Sequence, residues 1–379
     1  MSQRSNTVAA EQDQVHLRRA LELAEGGRGR VSPNPLVGAV LVRGGNVLGE
    51  GFHAELGGPH AEAAAITDAR DRGATLTGAT LYVTLEPCAH RGRQPPCTDA
   101  IVRAGIKRVV VGSDDPTEKA SGRGPGILRD EGIEVEVVKG AAAEASRRLN
   151  QPFRKHARTG RPLVILKSAM TLDGRTATAS GEAKWISGPE SRQLGHRWRA
   201  EFDAICVGIE TALADDPLLT ARDVEALRQP TRVVFDGDAR LPVDSALIRS
   251  QPEARLIVII RPAAAAKRVA ALERAGAEVI ACQGEGAAGI HTALDELGRR
   301  GNTSLIVEGG ATLAGSFVDA DEVDEMRVFI APLLFGGTDA RPVAGGEGIA
   351  AIAGARRALA TEVEQWGDDV LIHARLREW

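Results

Sequence analysis

Four residues in the first third of the chain have the types and spacing of a catalytic zinc site. A histidine and a glutamate lie close together in His60-Ala61-Glu62, and two cysteines follow at Cys88 and Cys97. One imidazole and two thiolates are good tetrahedral ligands for Zn²⁺, and they leave a fourth position open for water. Zinc lowers the pKa of such a water to about 7, and a nearby glutamate can carry its proton to a leaving amine. The pattern predicts a zinc-dependent deaminase with Glu62 as the proton carrier.

The spacing of the two cysteines departs from the general zinc-deaminase pattern. That pattern is H-x-E followed by P-C-x-x-C, whereas eight residues separate Cys88 from Cys97 here. Two other interpretations stay open: a structural zinc site with His90 as a fourth ligand, or residues that are unrelated to one another. The combination of HAE at a helix start with PC after a strand favours the catalytic interpretation.

Alternating helical and strand-like segments surround these residues. Residues His16–Glu25 have the helical spacing of apolar side chains, and the polar residues before them predict a loose tail without a signal peptide. A strand and its hairpin partner follow, and then an Ala-rich helix with His60 and Glu62 in its first turn. The next strand ends at Pro87. Further helix–strand alternation then predicts a layered α/β domain.

The segment 141–162 predicts a boundary between two domains. It begins as a helix and continues as a basic stretch broken by Pro and Gly, which is typical of linkers. We place the boundary near Gly160, which gives domains 1–160 and 161–379. Six or more strand-like segments alternate with helical ones in the second half, and they predict a second α/β domain.

The second half contains a candidate phosphate site. A strand ends in Val307-Glu308-Gly309-Gly310 and ATLAGSFV begins a helix, whose N-terminal N–H groups suit a diphosphate. The spacing is not that of G-x-G-x-x-G, so an ordinary strand–turn–helix is the alternative. Arg199 and Arg222 either bind a phosphate through their planar guanidinium groups or are solvated surface residues.

Composition argues against several kinds of partner. The chain has 379 residues, a formal net charge of −4 and 3% aromatic residues, whereas nucleic-acid binders usually show a basic face with interleaved aromatics. No apolar run approaches the roughly 18 residues of a membrane helix. Four cysteines do not make a disulfide framework, and Cys206 and Cys282 are predicted to pack in the core. We expect a small-molecule substrate and a cytoplasmic location.

Several segments resemble the bifunctional riboflavin biosynthesis enzymes in the same order along the chain. In the first half these are SPNPLVGAVLV, GEGFHAELGGPHAEAAA, VTLEPCAHRGRQPPC with its delayed second cysteine, and ASGRGPGILRDEGIEV. In the second half they are LKSAMTLDGRTATASGEAKWISG, ICVGIETALADDPLLTAR and LIVEGGATLAGSFV. The resemblance covers almost the whole chain from about residue 16, and it is least distinctive around 245–300.

This resemblance implies a fold, two reactions and two cofactors. The fold class is α/β, with a cytidine-deaminase-like three-layer domain followed by a dihydrofolate-reductase-like domain. The first domain would deaminate 2,5-diamino-6-ribosylamino-4(3H)-pyrimidinone 5′-phosphate. The second would reduce the ribosyl group with NADPH, to give 5-amino-6-ribitylaminouracil 5′-phosphate. We expect one Zn²⁺ per chain, no nucleic-acid or membrane partner, and a homo-oligomer (a dimer or a tetramer).

The resemblance also implies residue roles. The zinc ligands are His60, Cys88 and Cys97, and the pyrimidine contacts of the deaminase are Asn34, His53 and His90. The substrate contacts of the reductase are Lys167, Ala183, Arg199, Leu219, Arg222 and Glu308. The NADPH contacts are Ala169, Trp185, Thr211, Asp215, Gly310, Ala311, Thr312, Leu313, Ala314, Gly315 and Ser316. Asp173 either orders the turn in TLDG or takes part in the reaction.

Three other functions are alternatives. An RNA or nucleoside deaminase with a non-catalytic, nucleotide-binding C-terminal domain would share the zinc chemistry, but it predicts a basic groove that the charge balance does not support. A zinc-stabilised scaffold protein would not need Glu62. A true dihydrofolate reductase in the second half would be distinguished by comparing dihydrofolate with the aminouracil phosphate as substrates.

Overall fold

Two large β-sheets organise the residues that the computed structural model describes, which are 2–92 and 94–379. The chain forms two units, Met1–Thr159 together with Trp379, and Gly160–Glu378. Each unit has its own sheet and its own hydrophobic core. Within the described ranges, none of the helices combines the length and the apolar character that crossing a membrane requires.

The first unit is a five-stranded sheet between two layers of helices. Its elements are α1 (Ser2–Ala24), β1 (Gly38–Arg43), β2 (Asn46–Phe52), α2 (Ala61–Asp71), β3 (Thr80–Val83), α3 (Cys97–Arg103), β4 (Arg108–Val111), α4 (Arg123–Asp130), β5 (Glu134–Val137), α5 (Ala141–Leu149) and α6 (Gln151–Thr159). The strand order is β2-β1-β3-β4-β5. Strand β1 is antiparallel to β2 and β3, whereas β3, β4 and β5 run parallel.

Alternate residues of these strands face the two helical layers, as the pleat of a sheet requires. On one face Leu81 and Val109 pack with α2, α3 and α4. On the other face Val40 and Tyr82 pack with Leu17 of α1. The unit therefore has three layers, which is the arrangement that the resemblance implied.

The N-terminal segment is a helix, so the prediction of a loose tail is wrong. Helix α1 begins at Ser2 and continues to Ala24. Its buried Asp13 accepts hydrogen bonds from the Tyr82 hydroxyl (2.8 Å) and from Arg108 Nη1 (2.8 Å). Tertiary packing and this polar anchor stabilise a helix that its weakly apolar sequence does not predict, because most helical stability in proteins comes from tertiary contacts.

The basic second part of the boundary segment 141–162, which the sequence predicts to be a linker, is also helical for most of its length. Helix α6 continues to Thr159, and its Gln151, Arg154 and Lys155 are buried. Buried charged groups need hydrogen-bond partners, and Arg154 donates to the backbone carbonyl of Asp114 (2.8 Å). The basic composition therefore comes from a packed helix and not from a solvated connection.

Two glycines of β2 allow α2 to lie directly against the sheet. A Cβ at Gly49 would stand 2.5 Å from the carbonyl oxygen of Ala65, and a Cβ at Gly51 would stand 2.3 Å from the amide nitrogen of Ala65. Glycine inside a strand often marks such a close backbone approach. This contact sets the position of α2, and with it the position of His60 and Glu62.

The second unit is built on a nine-stranded sheet. Its elements are β6 (Leu163–Thr171), β7 (Arg175–Ala177), α7 (Pro189–Glu201), β8 (Ala204–Gly208), α8 (Ile209–Asp215), β9 (Thr231–Phe235), α9 (Ala246–Arg249), β10 (Leu256–Ile260), α10 (Ala266–Arg274), β11 (Glu278–Ala281), α11 (Gly286–Arg299), β12 (Ser304–Val307), α12 (Ala311–Asp319), β13 (Glu325–Ala331), β14 (Arg341–Pro342), β15 (Ala360–Trp366) and β16 (Asp369–Arg375). The sheet order is β11-β10-β9-β8-β12-β6-β13-β16-β15.

The strands from β11 to β13 in this order run parallel, and β16 and β15 are antiparallel additions. Helices α11 and α12 cover one face, where Cys206 and Cys282 are buried as predicted. Helices α8, α9 and α10 cover the other face. The carboxyl ends of parallel strands meet at one edge of a sheet, where ligands usually bind in open α/β sheets. The predicted reductase residues that follow β8 and β12 lie at this edge.

Candidate active sites

His60, Cys88 and Cys97 form a compact group of metal-ligand atoms. Their ligand atoms all lie within 4.8 Å of one another. His60 Nδ1 is 3.2 Å from Cys97 Sγ and 3.5 Å from Cys88 Sγ. His60 directly precedes α2, Cys88 follows β3, and Cys97 is the first residue of α3. Three elements of the sheet-and-helix layers therefore converge on one point.

The group fits a tetrahedral zinc ion. Zn–N distances of about 2.0–2.1 Å and Zn–S distances of about 2.3 Å place neighbouring tetrahedral ligand atoms roughly 3.5 Å apart, and the observed separations of 3.2 and 3.5 Å agree with that value. Hydrogen bonds from Cys97 and His60 lower the pKa of the Cys88 thiol, whereas the hydrogen bond with Cys88 and burial raise the pKa of the Cys97 thiol. The thiolate is the form that binds metal. Among the described residues this ligand group consists of three side chains, and His90 is not one of them.

Glu62 lies in the first turn of α2, next to the ligand group. Its side chain is buried, and burial raises the pKa of its carboxyl to about 7, with a further contribution from the negative charge of Cys88. A bound dication would oppose that rise. A general base is most effective when its pKa lies near the working pH. Glu62 therefore has the environment of a proton carrier.

A cavity of about 550 Å³ opens beside the ligand group and contains the predicted deaminase residues. The predicted residues in its lining are Asn34, His53, His60, Glu62, Cys88 and His90. Sequence reasoning missed several further lining residues, among them Phe153, Thr117 and Lys119. Phe153 lies in the segment whose basic composition predicts a linker, so nothing in the sequence indicates that its apolar side chain lines a cavity.

Asn34 and His53 form a pair in this cavity. Asn34 Nδ2 is 3.0 Å from His53 Nε2, and His53 Nδ1 is 2.9 Å from the carbonyl oxygen of Pro59. The carbonyl can only accept, so Nδ1 carries the proton and Nε2 accepts from the amide. Burial lowers the pKa of His53, which keeps the ring neutral. The pair therefore presents a fixed polar edge to the cavity.

The second unit contains an ion cluster centred on Glu308, directly after β12. Arg199 of α7 binds this carboxylate with both Nη2 (2.7 Å) and Nε (3.1 Å), and Lys167 Nζ of β6 lies 3.8 Å from it. Burial alone would raise the pKa of Glu308, but Arg199 and Lys167 lower it to about 2. Three predicted substrate contacts thus meet at one point, with Arg199 held by Glu308.

Arg222 lies beside this cluster, because the Thr220 carbonyl oxygen accepts from both Arg199 Nη1 (3.3 Å) and Arg222 Nη1 (3.5 Å). His196 Nδ1 lies 3.2 Å from the Thr220 carbonyl oxygen and 3.3 Å from the Arg222 amide nitrogen. Burial, and then the charge of Arg199, lowers the pKa of Arg222. Sequence reasoning missed His196. The available signal was its spacing of three residues from Arg199, which puts both on one helix face.

Leu219 and Ala183 differ in their surroundings. Leu219 is buried and has a φ of +56°, a left-handed conformation that is strained for a branched side chain. This conformation turns the backbone between α8 and Thr220, which is compatible with the predicted backbone contact. Ala183 is exposed in the segment between β7 and α7.

Among the predicted NADPH contacts outside the glycine-rich run, Thr211 contacts the turn before α12. Thr211 Oγ1 accepts a hydrogen bond from the Gly310 amide (3.1 Å). Lys184, which precedes Trp185, forms an ion pair with Asp215 (3.1 Å). Ala169 lies on β6, and the Trp185 side chain is exposed.

The last part of the predicted glycine-rich run lies inside the helix. Ala314 and Gly315 are buried, and a Cβ at Gly315 would stand 2.4 Å from the backbone of Gly345. Ser316 Oγ donates to the Thr312 carbonyl within α12. The residues with helix-start geometry are therefore Gly310, Ala311 and Thr312, with Leu313 buried behind them.

Asp173 orders a turn. Its carboxylate accepts hydrogen bonds from the Gly336 amide (2.7 Å), the Phe335 amide (3.2 Å) and the Thr171 hydroxyl (2.6 Å). These bonds lower the pKa of Asp173 to about 2, with the Thr171 bond contributing most. Of the two roles considered for this residue, the contacts favour the structural one.

Comparison with known proteins places both halves of the chain in one family. A model of the cytidine and deoxycytidylate deaminase zinc-binding region matches residues 10–113, and a model of the RibD C-terminal domain matches residues 162–372. The riboflavin biosynthesis protein RibD of Actinobacillus pleuropneumoniae is 40% identical over 369 residues, which are 97% of this chain and 96% of that protein. The chain belongs to the RibD family.

Other RibD relatives agree along the whole length. The RibD protein of Escherichia coli (strain K12) is 38% identical over 378 residues, 96% of this chain and 99% of that protein. The solved structure of Acinetobacter baumannii RibD shares 37% identity with a TM-score of 0.84, over 97% of this chain and 99% of that one. A deaminase/reductase from Thermotoga maritima shares 36% identity with a TM-score of 0.84, over the same shares of the two chains.

Membership of the RibD family confirms the predicted fold class and the combination of a deaminase with a reductase in riboflavin biosynthesis. It also confirms the requirement for Zn²⁺ and NADPH. The His/Cys/Cys group of the first unit can hold the Zn²⁺. The alternative of an RNA or nucleoside deaminase is not favoured, because the RibD C-terminal domain accounts for the second half. The roles of individual residues stay predictions.

Proposed function

We propose that the first domain, 1–160, replaces the C2 amine of 2,5-diamino-6-ribosylamino-4(3H)-pyrimidinone 5′-phosphate by oxygen. The second domain, 161–379, then reduces the ribosyl group of the product to ribityl and gives 5-amino-6-ribitylaminouracil 5′-phosphate. The observation that carries the deaminase assignment is the buried Glu62 beside three ligand atoms within 4.8 Å of one another, with Glu62, His60 and Cys88 on the wall of one cavity. The solved relative from Thermotoga maritima is named as a diaminohydroxyphosphoribosylaminopyrimidine deaminase and 5-amino-6-(5-phosphoribosylamino)uracil reductase.

Glu62 moves the protons of the deamination. Bound zinc supplies a Lewis acid that makes a water nucleophilic at neutral pH. The Glu62 carboxylate would accept a proton from the attacking water and pass it to the pyrimidine ring; it would then take the remaining hydroxyl proton of the added oxygen and give it to the departing ammonia. Its burial excludes bulk water, so the proton stays between Glu62 and the substrate.

Asn34, His53 and His90 bind the pyrimidine in this proposal. The Asn34 amide is oriented by its bond to the neutral His53 ring, and it can pair with the polar edge of a pyrimidine. His90 is exposed at the same cavity, where its ring reaches the substrate from the solvent side. A few polar groups that converge on an otherwise apolar cavity are typical of small-molecule sites.

Glu308 and Lys167 bind the pyrimidine–ribose part of the reductase substrate. NADPH supplies the hydride that reduces C1′. The Glu308 carboxylate stays ionised because of Arg199 and Lys167, so it accepts hydrogen bonds from substrate N–H or O–H groups throughout the neutral range. The Gly310 turn, fixed by Thr211, offers its backbone N–H groups to the cofactor phosphates.

Arg222 and Arg199 bind the substrate phosphate. The two guanidinium groups are near enough for the charge of Arg199 to lower the pKa of Arg222. A phosphate between them would remove this repulsion, and guanidinium groups bind phosphate with good geometry. Arg199 is already engaged with Glu308, so we assign the main phosphate contact to Arg222.

Replacing Arg222 by alanine should weaken binding of the phosphorylated aminouracil by about 1.5–3 kcal/mol, the range for hydrogen bonds to charged groups. That corresponds to a KM roughly ten- to a hundredfold higher in the reductase assay. Arg197→Ala, on the exposed face of α7, is the matched control and should leave KM unchanged. The dephosphorylated substrate should be reduced poorly, and to the same extent, by the wild-type protein and by Arg222→Ala. Equal losses on both substrates would make Arg222 a structural residue.

A coupled assay tests the whole proposal. The purified protein, loaded with zinc, is given the diamino pyrimidine phosphate, and ammonia release and NADPH absorbance are followed together. For each substrate molecule, one ammonia should be released and one NADPH should be consumed. Deamination should also proceed when NADPH is left out. NADPH oxidation with dihydrofolate but not with the aminouracil phosphate would overturn the reductase assignment.

We also infer a cytoplasmic homo-oligomer, either a dimer or a tetramer. Strand β15 is one edge of the nine-stranded sheet, and Val363 on this strand and Leu359 directly before it are more than half exposed. Exposed apolar residues on an edge strand favour pairing with another chain. Sedimentation should give a mass of two or four chains, and Val363→Lys should lower it.

A further inference from the structure

Helix α6 forms part of the deaminase cavity although none of the predicted catalytic residues lies on it. Phe153 lines the cavity. The next two residues, Arg154 and Lys155, are each only 1% exposed. Charged side chains are almost never buried to this extent unless they are paired. Their partners therefore show what the helix holds in place.

Asn150, directly before α6, fixes the loop that carries Asn34. Asn150 is 2% exposed, its Oδ1 accepts from the Leu36 amide (2.8 Å), and its Nδ2 donates to the Leu36 carbonyl (2.9 Å). Leu36 stands two residues after Asn34, and Pro35 between them also lines the cavity. Both backbone groups of Leu36 are thus bound by one side chain, so a shift of Asn150 would move Asn34.

Arg154 fixes a second loop of the same cavity. Its Nη1 donates to the Asp114 carbonyl (2.8 Å), and its Nη2 donates to Asp114 Oδ2 (3.2 Å). The following residue, Asp115, lines the cavity and accepts hydrogen bonds from the amide (2.8 Å) and hydroxyl (2.7 Å) of Thr117, which is also a lining residue. One buried guanidinium therefore sets the position of this wall.

Trp379 is far from α6 in the sequence, but it belongs to the first unit and contacts this helix. Its amide donates to Gln151 Oε1 (2.8 Å), and its carbonyl oxygen accepts from Gln151 Nε2 (3.2 Å) and from Arg154 Nε (2.6 Å). Lys155 Nζ lies 5.3 Å from the centre of the Trp379 ring, within the range of a cation–π contact. Each of the three buried polar residues of α6 thus contacts Trp379.

We propose that Trp379 is a positioning residue for the deaminase, which acts through α6 on the loops of Asn34 and Asp115. The Trp379 ring over Lys155 holds Trp379 in place, and its backbone carbonyl is the acceptor for Arg154. Loss of the ring would release the Trp379 backbone from α6, and a buried guanidinium that loses an acceptor is strongly destabilised, so Arg154 and the helix would move to find another partner. The Asn150 and Asp114 contacts would move with them. The zinc ligands and Glu62 lie at the start of α2, in the segment after β3 and at the start of α3, so the chemistry itself would stay intact. This proposal rests on the proposed deaminase function of the cavity.

The test uses Trp379→Ala and Gln151→Ala in the full-length, zinc-loaded protein. Both should raise the KM of deamination about tenfold, leave kcat within about twofold, and keep zinc near one per chain. Because they break one network, the double variant should lose little more than either single one. Trp379→Phe keeps an aromatic ring over Lys155 and should restore most of the lost affinity. Arg158→Ala, at an exposed position of the same helix, should change nothing.

Hydrogen exchange gives a readout that does not depend on activity. The amides of Leu36 and Thr117, which are bound through Asn150 and Asp115, should exchange faster in Trp379→Ala and Gln151→Ala. Unchanged KM and unchanged exchange in Gln151→Ala would overturn the proposal, even if Trp379→Ala does not fold. A wild-type protein that fails to deaminate the pyrimidine would instead contradict the proposed function, whereas the exchange result would still decide the role of Trp379.

Discussion

Glu62→Gln should lower the rate of ammonia release by about 10²- to 10⁴-fold, the usual contribution of a positioned general acid or base. The glutamine side chain has nearly the same shape but cannot accept a proton from water at neutral pH. Zinc content should stay near one per chain, because Glu62 lies beside the ligand group and is not part of it. Ammonia release under saturating substrate and metal analysis of the same sample measure both effects.

The second unit provides the control for this variant. Reduction of the deaminated product by NADPH should proceed at the wild-type rate, since Glu62 belongs to the first unit. If zinc is lost together with activity, Glu62 contributes to metal binding and its assignment as a proton carrier is wrong.

Cys97→Ser should remove most of the zinc and abolish deamination. Cys97 begins α3, is 2% exposed and provides one of the three ligand atoms. A neutral hydroxyl is a poor replacement for a thiolate, and metal affinity is linked to folding because the ligands come together only in the folded state. The melting temperature of the first unit should therefore fall as zinc is lost. Cys88→Ser should behave in the same way.

A cysteine of the second unit gives a matched control for these variants. Cys282→Ser changes a buried thiol that packs in the core at 4% exposure. It should keep full zinc content and normal deamination, even if the second unit becomes less stable. A Cys97→Ser protein with full zinc content would remove Cys97 from the ligand set.

The local parts of both sites could be predicted from the sequence, because their chemistry lies in short segments. His60 and Glu62 are two residues apart, and the identity of their side chains already indicates zinc and proton transfer. Pairs that join distant segments gave no such signal. The Arg199–Glu308 ion pair spans 109 residues, and nothing in the sequence indicates that these two charged residues are partners. The sequence predicts a phosphate contact for Arg199, and the structure adds a carboxylate partner, Glu308, that the sequence does not indicate.

The two errors about secondary structure have one physical cause. The start of α1 and the whole of α6 are polar, and polar segments without an apolar stripe resemble tails or linkers. Both helices are held by buried charges, through Asp13 with Arg108 and through Arg154 with Asp114. Such bonds depend on partners that lie 95 and 40 residues away in the chain. Helical periodicity cannot reveal them.

The two glycines of β2 have a consequence for how this protein tolerates change. Neither Gly49 nor Gly51 belongs to the metal-ligand group or to the lining of the cavity, yet any side chain at these positions would push α2 away from the sheet. In a library of random variants selected for deamination, substitutions at positions 49 and 51 should therefore be depleted as strongly as substitutions of the metal ligands. Drift in this family would be restricted there by the space between two backbones, and an inactive variant at either position would still contain every reacting group.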